Sequence, residues 1–147
     1  MNAVDCVIKL AKCESDAIGF IPYPKYKEAH EKGNIFYQIE NGEFVGFLIV
    51  GGFPSMGTTY IWQECIDKSA RGYGSGRRLF YQLLAKCTAN YVYQIKLNCA
   101  EDLESNLFWQ SMGFNLVRSI NPNNKRGRKI NQYRYQLIRD IFTPQNK

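Results

Sequence analysis

The stretch "SARGYGSGRRLFYQLL" (residues 69–84) places three glycines and three arginines directly before an apolar helical pattern. The stripe of that helix consists of Leu79, Phe80, Leu83, Leu84 and Cys87. Glycines let backbone N–H groups approach a ligand closely, and the first amides of a helix have no partner within it. The helix macrodipole adds roughly half a positive charge at the same end. The stretch therefore predicts a site for an anion, most readily a phosphate, at the start of this helix.

Arg77 and Arg78 occupy the first turn of the predicted helix, where a cation opposes the macrodipole. A bound pyrophosphate would reverse that penalty, which favours an anion-binding role. Three other phosphate loops do not fit. A Walker loop needs a lysine and a hydroxyl residue after its last glycine, whereas Gly76 is followed by Arg-Arg-Leu. A dinucleotide fingerprint needs a different glycine spacing and an acid about 20 residues later, but no acid follows before Glu101. Kinase glycine loops join two strands, whereas this loop is predicted to join a strand to a helix.

The net charge of +6 is concentrated in one segment. Residues 68–100 contain no Asp or Glu, and their six basic residues equal the whole net charge. These residues are Lys68, Arg71, Arg77, Arg78, Lys86 and Lys96. Solvated faces usually mix both signs of charge, so this one-sided segment indicates a polyanionic ligand.

The chain of 147 residues has the size of a single domain, which we assign to residues 1–147. Its five cysteines are irregularly spaced and form no C-x-x-C pair, which is typical of reduced, buried thiols in a cytoplasmic protein. No apolar run approaches the ~18 residues of a membrane span, and the N-terminus lacks the pattern of a signal peptide. We therefore expect a cytoplasmic protein that does not engage a membrane.

The predicted elements follow the order strand, helix, hairpin, strand, helix, strand, helix and two further strands. The first strand is expected at residues 3–10 ("AVDCVIKL"), and a hairpin is expected around Asn41-Gly42, a strong tight-turn signal. A strand at residues 58–66 leads into the glycine-rich loop, and another at residues 91–100 follows the helix. This order predicts an α/β (α+β) fold in which helices cover a mixed sheet.

Residues 71–76 ("RGYGSG") resemble the acyl-CoA signature [RQ]-x-x-G-x-[GA] of the GCN5-related N-acetyltransferase (GNAT) superfamily. Residues 106–114 ("NLFWQSMGF") resemble the second motif of that family, an aromatic helix that ends in Gly-Phe before a strand. The predicted order of elements fits the family along the whole chain. The resemblance implies a central, mixed, mostly antiparallel sheet of about seven strands, with a splayed parallel pair and helices on both faces.

The resemblance also implies acetyl-CoA as the cosubstrate, without a metal ion and without a covalent enzyme intermediate. The cofactor would lie between the splayed strands at residues 58–66 and 91–100, and its pantetheine arm would pair with backbone near Cys65 and Ile66. Its pyrophosphate would lie on the amides of the loop formed by Arg71, Gly72, Tyr73, Gly74, Ser75, Gly76 and Arg77.

The residues that would transfer protons depart from the family pattern. Many family members have a tyrosine acid four residues before the glycine of the second motif, but this chain has Trp109 there. An indole has no useful acidity, so Trp109 is expected to pack against the pantetheine or the core. Glu64 is the candidate base, because an apolar strand should raise the pKa of its carboxyl. Tyr133 and Tyr135 are candidate acids, and Asn106 would make an amide contact with the cofactor.

The leading hypothesis is transfer of an acetyl group from acetyl-CoA to a primary amine of a small molecule or a protein, by direct attack on the thioester. Acidic residues at positions 101, 102 and 104 would suit a cationic amine. In one alternative, the basic loop at residues 125–129 engages nucleic acid, either RNA or an aminoacyl-tRNA. In another, the protein is a non-catalytic acyl-CoA binding module, because Trp109 replaces the usual acid. The sequence is compatible with a monomer or a homodimer.

Overall fold

The computed structural model of the protein describes residues 2–121 and 127–138. The helices are α1 (Ala3–Cys13), α2 (Ser15–Ile18), α3 (Tyr23–Glu31), α4 (Ser75–Ala89) and α5 (Ser105–Ser111). The strands are β1 (Ile35–Glu40), β2 (Glu43–Val50), β3 (Thr58–Ile66), β4 (Gln94–Ala100), β5 (Asn115–Ile120) and β6 (Ile130–Gln136). Within the described ranges, no helix combines the length and the apolar character that crossing a bilayer requires.

The six strands form one sheet in the order β1-β2-β3-β4-β6-β5. Every neighbouring pair is antiparallel except β3 and β4. The predicted α/β architecture, with a mostly antiparallel mixed sheet and one parallel pair, is therefore confirmed. The predicted hairpin is also present, and both of its turn residues, Asn41 and Gly42, have the positive φ angles that the Asn-Gly signal implies.

The prediction of a first strand at residues 3–10 is wrong, because this segment belongs to helix α1. The side chain of Asn2 caps the helix by accepting a hydrogen bond from the backbone N–H of Asp5 at 2.9 Å. The buried residues Val7, Leu10 and Ala11 follow a helical spacing. Apolar residues in an eight-residue segment can satisfy both the helical period and the strand period, and the Asn2 cap favours the helix. As a result, the described residues contain six strands instead of about seven.

Two hydrophobic clusters lie on opposite faces of the sheet. On one face α4 packs with its predicted stripe inward, and Leu79, Phe80, Leu83 and Cys87 are all buried. On the other face α1 and α3 cover the half of the sheet formed by β1, β2 and the end of β3. The second half of that face, on β4 and β6, presents mainly polar side chains.

The strands β3 and β4 separate after a short paired segment, and this separation positions the site. Their pairing covers only Thr58–Tyr60 and Gln94–Lys96. A β-bulge at Trp62 shifts the register of β3 against β2 directly after the paired segment. Beyond the bulge, the backbone of β3 up to Ile66 pairs with β2 on one side only, so a gap opens toward β4.

Candidate active site

A cavity of about 740 Å³ occupies the gap between β3 and β4. Its walls are the ends of these two strands, the glycine-rich loop with the start of α4, helix α2, and one side of α5. The predicted splay of the two parallel strands therefore exists as an open space. Its volume falls in the range that small-molecule and cofactor sites usually have.

The glycine-rich loop presents backbone donors to this cavity. Gly72 and Gly74 have φ angles of +89° and +83°, which residues with a Cβ rarely adopt. The first helical hydrogen bond of α4 runs from the N–H of Arg78 to the carbonyl of Gly74. The preceding amides, at positions 75 to 77, have no acceptor among the described residues. These free amides lie at the positive end of a 15-residue helix, where the sequence predicts an anion site.

Arg71 connects the glycine-rich loop to β3 and to the junction of α1 and α2. Its Nε donates to the carbonyl of Ile66 at 2.9 Å, and its Nη2 lies 3.3 Å from Oε1 of Glu14 at the junction of α1 and α2. The arginine thus ties the end of β3 to the helical wall of the cavity. The Ile66 carbonyl is already occupied by this bond, although Cys65 and Ile66 both line the cavity as expected.

The two arginines of the first turn of α4 have different surroundings. Arg78 forms an ion pair with Glu40 at the end of β1 and donates to the carbonyl of Tyr73 at 3.0 Å. This ion pair holds the pKa of the Glu40 carboxyl below its ordinary value. Arg77 lines the cavity and has no ionic partner among the described residues. Of the two, therefore, only Arg77 has a charge that a ligand can use. The pairing of Glu40 with Arg78 spans 38 residues, and no local sequence signal points to it.

Glu64 lies in the cavity wall beneath the start of α4. Its Oε2 atom is buried, and no described residue hydrogen-bonds to it. A Cβ built on Gly76 would lie 2.9 Å from Oε1 of Glu64, so the carboxyl fills the space beside this glycine. Burial raises the pKa of Glu64 well above its ordinary value of 4.5. The structure therefore brings the predicted base to the cavity and leaves one of its oxygens free.

Trp109 lies at the bottom of the cavity within a cluster of aromatic rings. It is buried, and its ring packs edge-to-face against Phe108, Phe80 and Phe114. Trp109 also lines the cavity. It can thus contact a ligand and the core at once, which is the packing role expected of it. Tyr73 is 74% exposed and is not among the residues that line the cavity.

Three predicted residues do not reach the cavity. The amide nitrogen of Asn106 donates to three carbonyls at the start of α5, and its Oδ1 accepts from Asn131 and from the Tyr133 hydroxyl. Tyr133 is 1% exposed and serves this network. Tyr135 packs against Phe80 and Phe114 on the α4 face of the sheet. Asn106 and Tyr133 support the start of α5, and Tyr135 packs in the core, because β6 turns both tyrosines toward the helices.

Of the acidic residues that were expected to suit a cationic amine, only some line the cavity. Asp102 pairs with Arg128 at 2.7 Å, which keeps the pKa of its carboxyl below the ordinary value. Glu104 and Glu14 line the cavity, whereas Glu101 does not. The basic loop predicted at residues 125–129 includes positions 125 and 126, which lie outside the described residues.

Trp62 and Gln63, on the bulge of β3, are among the cavity residues that sequence reasoning missed. The ring of Trp62 lies over Gly51, where a Cβ would lie 3.0 Å from its Nε1. Gln63 accepts a hydrogen bond from the Tyr26 hydroxyl at 2.7 Å and donates to the carbonyls that end α2. This amide fixes α2 against the cavity. A bulge turns two consecutive side chains out of alternation, and nothing in the strand sequence marks its position.

A comparison with protein families shows to which family the chain belongs. Residues 15–137 match the acetyltransferase (GNAT) domain, which is most of the chain. The chain belongs to the GNAT acetyltransferase family. As a GNAT protein, it is an acetyl-CoA-dependent N-acyltransferase, and acetyl-CoA is its cosubstrate. In the described ranges, no group of three or more His, Cys, Asp or Glu side chains is arranged to hold a metal ion.

Solved structures of GNAT proteins share the fold at low sequence identity. An Ard1 protein from Thermoplasma volcanium is 16% identical, with a TM-score of 0.79 and 92% of each chain covered. A ribosomal-protein-alanine N-acetyltransferase from Brucella melitensis is 14% identical, with a TM-score of 0.76 and coverage of 91% of this chain and 94% of the other. An aminoglycoside 6'-N-acetyltransferase complexed with coenzyme A is 13% identical, with a TM-score of 0.76 and coverage of 93% and 92%. No curated protein sequence matches this GNAT chain.

Proposed function

We propose that this GNAT protein transfers the acetyl group of acetyl-CoA to a primary amine by direct attack of the amine on the thioester. The proposal treats residues 1–147 as a single catalytic domain. The observation that carries it is the cavity between β3 and β4, which combines the free amides of α4 at one end with the unpartnered carboxyl of Glu64 in its wall. The free amides suit a pyrophosphate, and the carboxyl of Glu64 suits a proton transfer.

The cofactor arrangement follows from the elements that line the cavity. The pyrophosphate binds the amides of residues 75 to 77 and the guanidinium of Arg77. The pantetheine arm adds to the free edge of β3 near Cys65, and the indole of Trp109 packs against it. The acyl carbonyl then lies near the bulge at Trp62, where a backbone N–H stabilises the oxyanion as it forms.

A covalent cysteine intermediate is not part of the proposal. Cys65 and Cys99 line the cavity, and burial raises the pKa of both thiols, that of Cys65 to about 12. A thiol in this state supplies almost no thiolate near neutral pH. Direct transfer from the thioester to the amine therefore accounts for the chemistry with the groups present.

In the chemical step, the neutral amine nitrogen attacks the acyl carbon and a tetrahedral intermediate forms. The nitrogen of this intermediate loses a proton to the Glu64 carboxylate, through water in the gap between the strands. The carbon–sulfur bond then breaks, and the CoA thiolate leaves and takes up a proton from solvent water. Because the pKa of Glu64 is raised, its carboxylate is a stronger base than an exposed one, and transfer to it is easier near neutral pH.

The direct test is acetyl transfer to a panel of primary amines, followed by release of free CoA thiol and by the mass of the product. The panel includes an aminoglycoside, a polyamine and a peptide with a free N-terminus. The proposal expects one or more products heavier by one acetyl group, with CoA released in equal amount. Tight acetyl-CoA binding without any acetylated amine would instead support the non-catalytic module, and no acetyl-CoA binding would contradict the proposal.

Engagement of nucleic acid remains a prediction of the sequence. Arg128 is one of the four basic residues of the loop at residues 125–129, and it pairs with Asp102 in the structure. The expectation of a monomer or a homodimer also remains a prediction.

A further inference from the structure

One face of the sheet beside the cavity carries two basic side chains directly opposite each other. Lys96 on β4 and Arg134 on β6 are register partners in an antiparallel pair. Their neighbours along each strand, Ile95, Leu97 and Tyr133, are buried against α4, so Lys96 and Arg134 point to the opposite, open face. Like charges in this position destabilise a sheet. Neither side chain has a hydrogen bond or an ion pair with a described residue.

The same row continues onto β3 with an aromatic residue. Tyr60 is the register partner of Lys96 in the parallel pair, and its side chain is 52% exposed on the open face. Trp62, two residues further along β3, is 46% exposed and lines the cavity. Asn98 stands at the corresponding place on β4, is exposed and also lines the cavity. The described part of this row contains no carboxylate.

The row lies on the same side of the sheet as α2, beside the gap between β3 and β4. Helix α2, which forms a wall of the cavity, packs against this side of β3. The last paired residues of β3 and β4 are Tyr60 and Lys96, so the basic pair lies at the closed end of the gap. A strand rises about 3.3 Å per residue, which puts Lys96 about 6–7 Å from the cavity residue Asn98.

We propose that Lys96 and Arg134 bind a single anionic group, a carboxylate or a phosphate, on the acceptor amine. This inference rests on the proposed acetyl transfer and names the substrate class: a primary amine that carries an anion a short chain away from the nitrogen. Directly opposite residues have Cβ atoms about 5 Å apart, so both cationic ends can reach one anion. The methylene chain between amine and anion lies over Tyr60 and Trp62.

The spacing favours a small acceptor over a nucleic acid. Nucleic-acid surfaces contact many phosphates in succession, whereas this row offers two cations at directly opposite positions of β4 and β6. The cost of placing these like charges together is offset only when an anion is bound. The cavity also holds the carboxyl side chain of Glu104, which suits the amine end of the same acceptor.

The test compares four amines at saturating acetyl-CoA: 5-aminopentanoate, 3-aminopropyl phosphate, pentylamine and 1,5-diaminopentane. The wild-type protein is compared with the Lys96→Gln/Arg134→Gln double variant and with Lys27→Gln, a matched control on the exposed side of α3. At least one of the two anionic amines should have kcat/KM about tenfold or more above pentylamine, mainly through KM. The double variant should lose this preference while its rate with pentylamine stays unchanged. Its melting temperature should not fall, because two like charges are removed.

Which anionic amine is preferred identifies the source of the anion, carboxylate or phosphate. Equal kcat/KM values for all four amines, or a preference that survives the double substitution or is lost equally in Lys27→Gln, would overturn the inference. Calorimetric binding of the four amines to the CoA complex is measured in parallel and has the same predicted order. If no amine is acetylated, the proposed function fails, and this binding order alone still decides about the anion site. Competition by a single-stranded RNA without any preference among the amines would reassign the face to nucleic acid.

Discussion

The carboxyl of Glu64 lies against Gly76 so closely that a Cβ on this glycine would be 2.9 Å from its Oε1 atom. The same Cβ would lie 3.2 Å from the ring of Phe108. The last glycine of the loop is therefore needed for space, because its helical backbone is one that any residue adopts. The contact joins the phosphate end of the cavity to the residue proposed to move the proton.

Gly76→Ala should lower stability even though alanine is the better helix former. Helix propensity alone would stabilise the variant by about 1 kcal/mol, while crowding against Glu64 and Phe108 should cost about 1–3 kcal/mol. We expect a net decrease of the melting temperature and weaker acetyl-CoA binding. Thermal unfolding of the wild type, Gly76→Ala, Glu64→Ala and the double variant measures this loss of stability. The loss should be smaller when Gly76→Ala is made in the Glu64→Ala background. An increase in stability of Gly76→Ala over the wild type would show that the carboxyl does not lie beneath the loop.

Glu64→Gln should change the pH dependence of stability in a defined direction. The folded-state pKa of Glu64 is raised above 4.5, so the folded protein holds this proton more tightly than the unfolded chain does. The stability from the neutral carboxyl is fully present below pH 4.5 and is lost as the pH rises through the raised pKa. Glutamine stays neutral, so the variant should gain on the wild type as the pH rises. Melting curves from pH 4 upward measure this difference, and parallel curves for the two proteins would contradict a buried, unpartnered carboxyl.

Arg77→Ala and Arg78→Ala should separate ligand binding from stability. Arg77 has no described ionic partner and lies in the first turn of α4, so its removal should weaken acetyl-CoA binding about tenfold and leave the melting temperature unchanged or slightly higher. Arg78→Ala should lower the melting temperature, because Glu40 and the Tyr73 carbonyl lose their donor. Calorimetry with acetyl-CoA and with dephospho-CoA makes the assignment: equal losses for both ligands in Arg77→Ala indicate contact with the pyrophosphate. Equal effects of the two substitutions on both quantities would refute the division of roles.

Tyr133→Phe should affect stability and leave catalysis intact. The Tyr133 hydroxyl donates to Oδ1 of Asn106 at 2.8 Å and accepts from Gln110, so its loss should cost about 1–3 kcal/mol. Because the residue does not line the cavity, kcat should stay within about twofold of the wild-type value. Tyr135→Phe serves as the control and should change neither quantity. A fall of kcat by about 100-fold in either variant would restore that tyrosine as the acid.

Local patterns predicted the parts of the fold that have local causes. The Asn41-Gly42 turn and the apolar stripe of α4 depend on residues close in sequence, and both are as predicted. The segment at residues 3–10 was misassigned because its apolar residues suit two periods, and the cap from Asn2 favours the helix.

The site was predictable where the backbone forms it and not where distant side chains meet. The amides of the loop follow from the glycine pattern. The pairing of Arg78 with Glu40, the bulge at Trp62 and the opposite placement of Lys96 and Arg134 each depend on strand register, which a single sequence does not specify. Asn106 was expected at the cofactor because of its place in the second motif, but its two hydrogen-bonding ends are both used inside the protein.

The most direct test of the account is the pH profile of acetyl transfer by the wild type and by Glu64→Gln, with saturating acetyl-CoA and one amine of the panel that is acetylated. The account predicts that wild-type kcat rises with pH through a pKa well above 4.5 as Glu64 loses its proton. In Glu64→Gln, kcat should fall about 100-fold or more, this rising limb should disappear, and acetyl-CoA should still bind. A variant with near wild-type kcat and the same pH profile would contradict the role of Glu64 as the base.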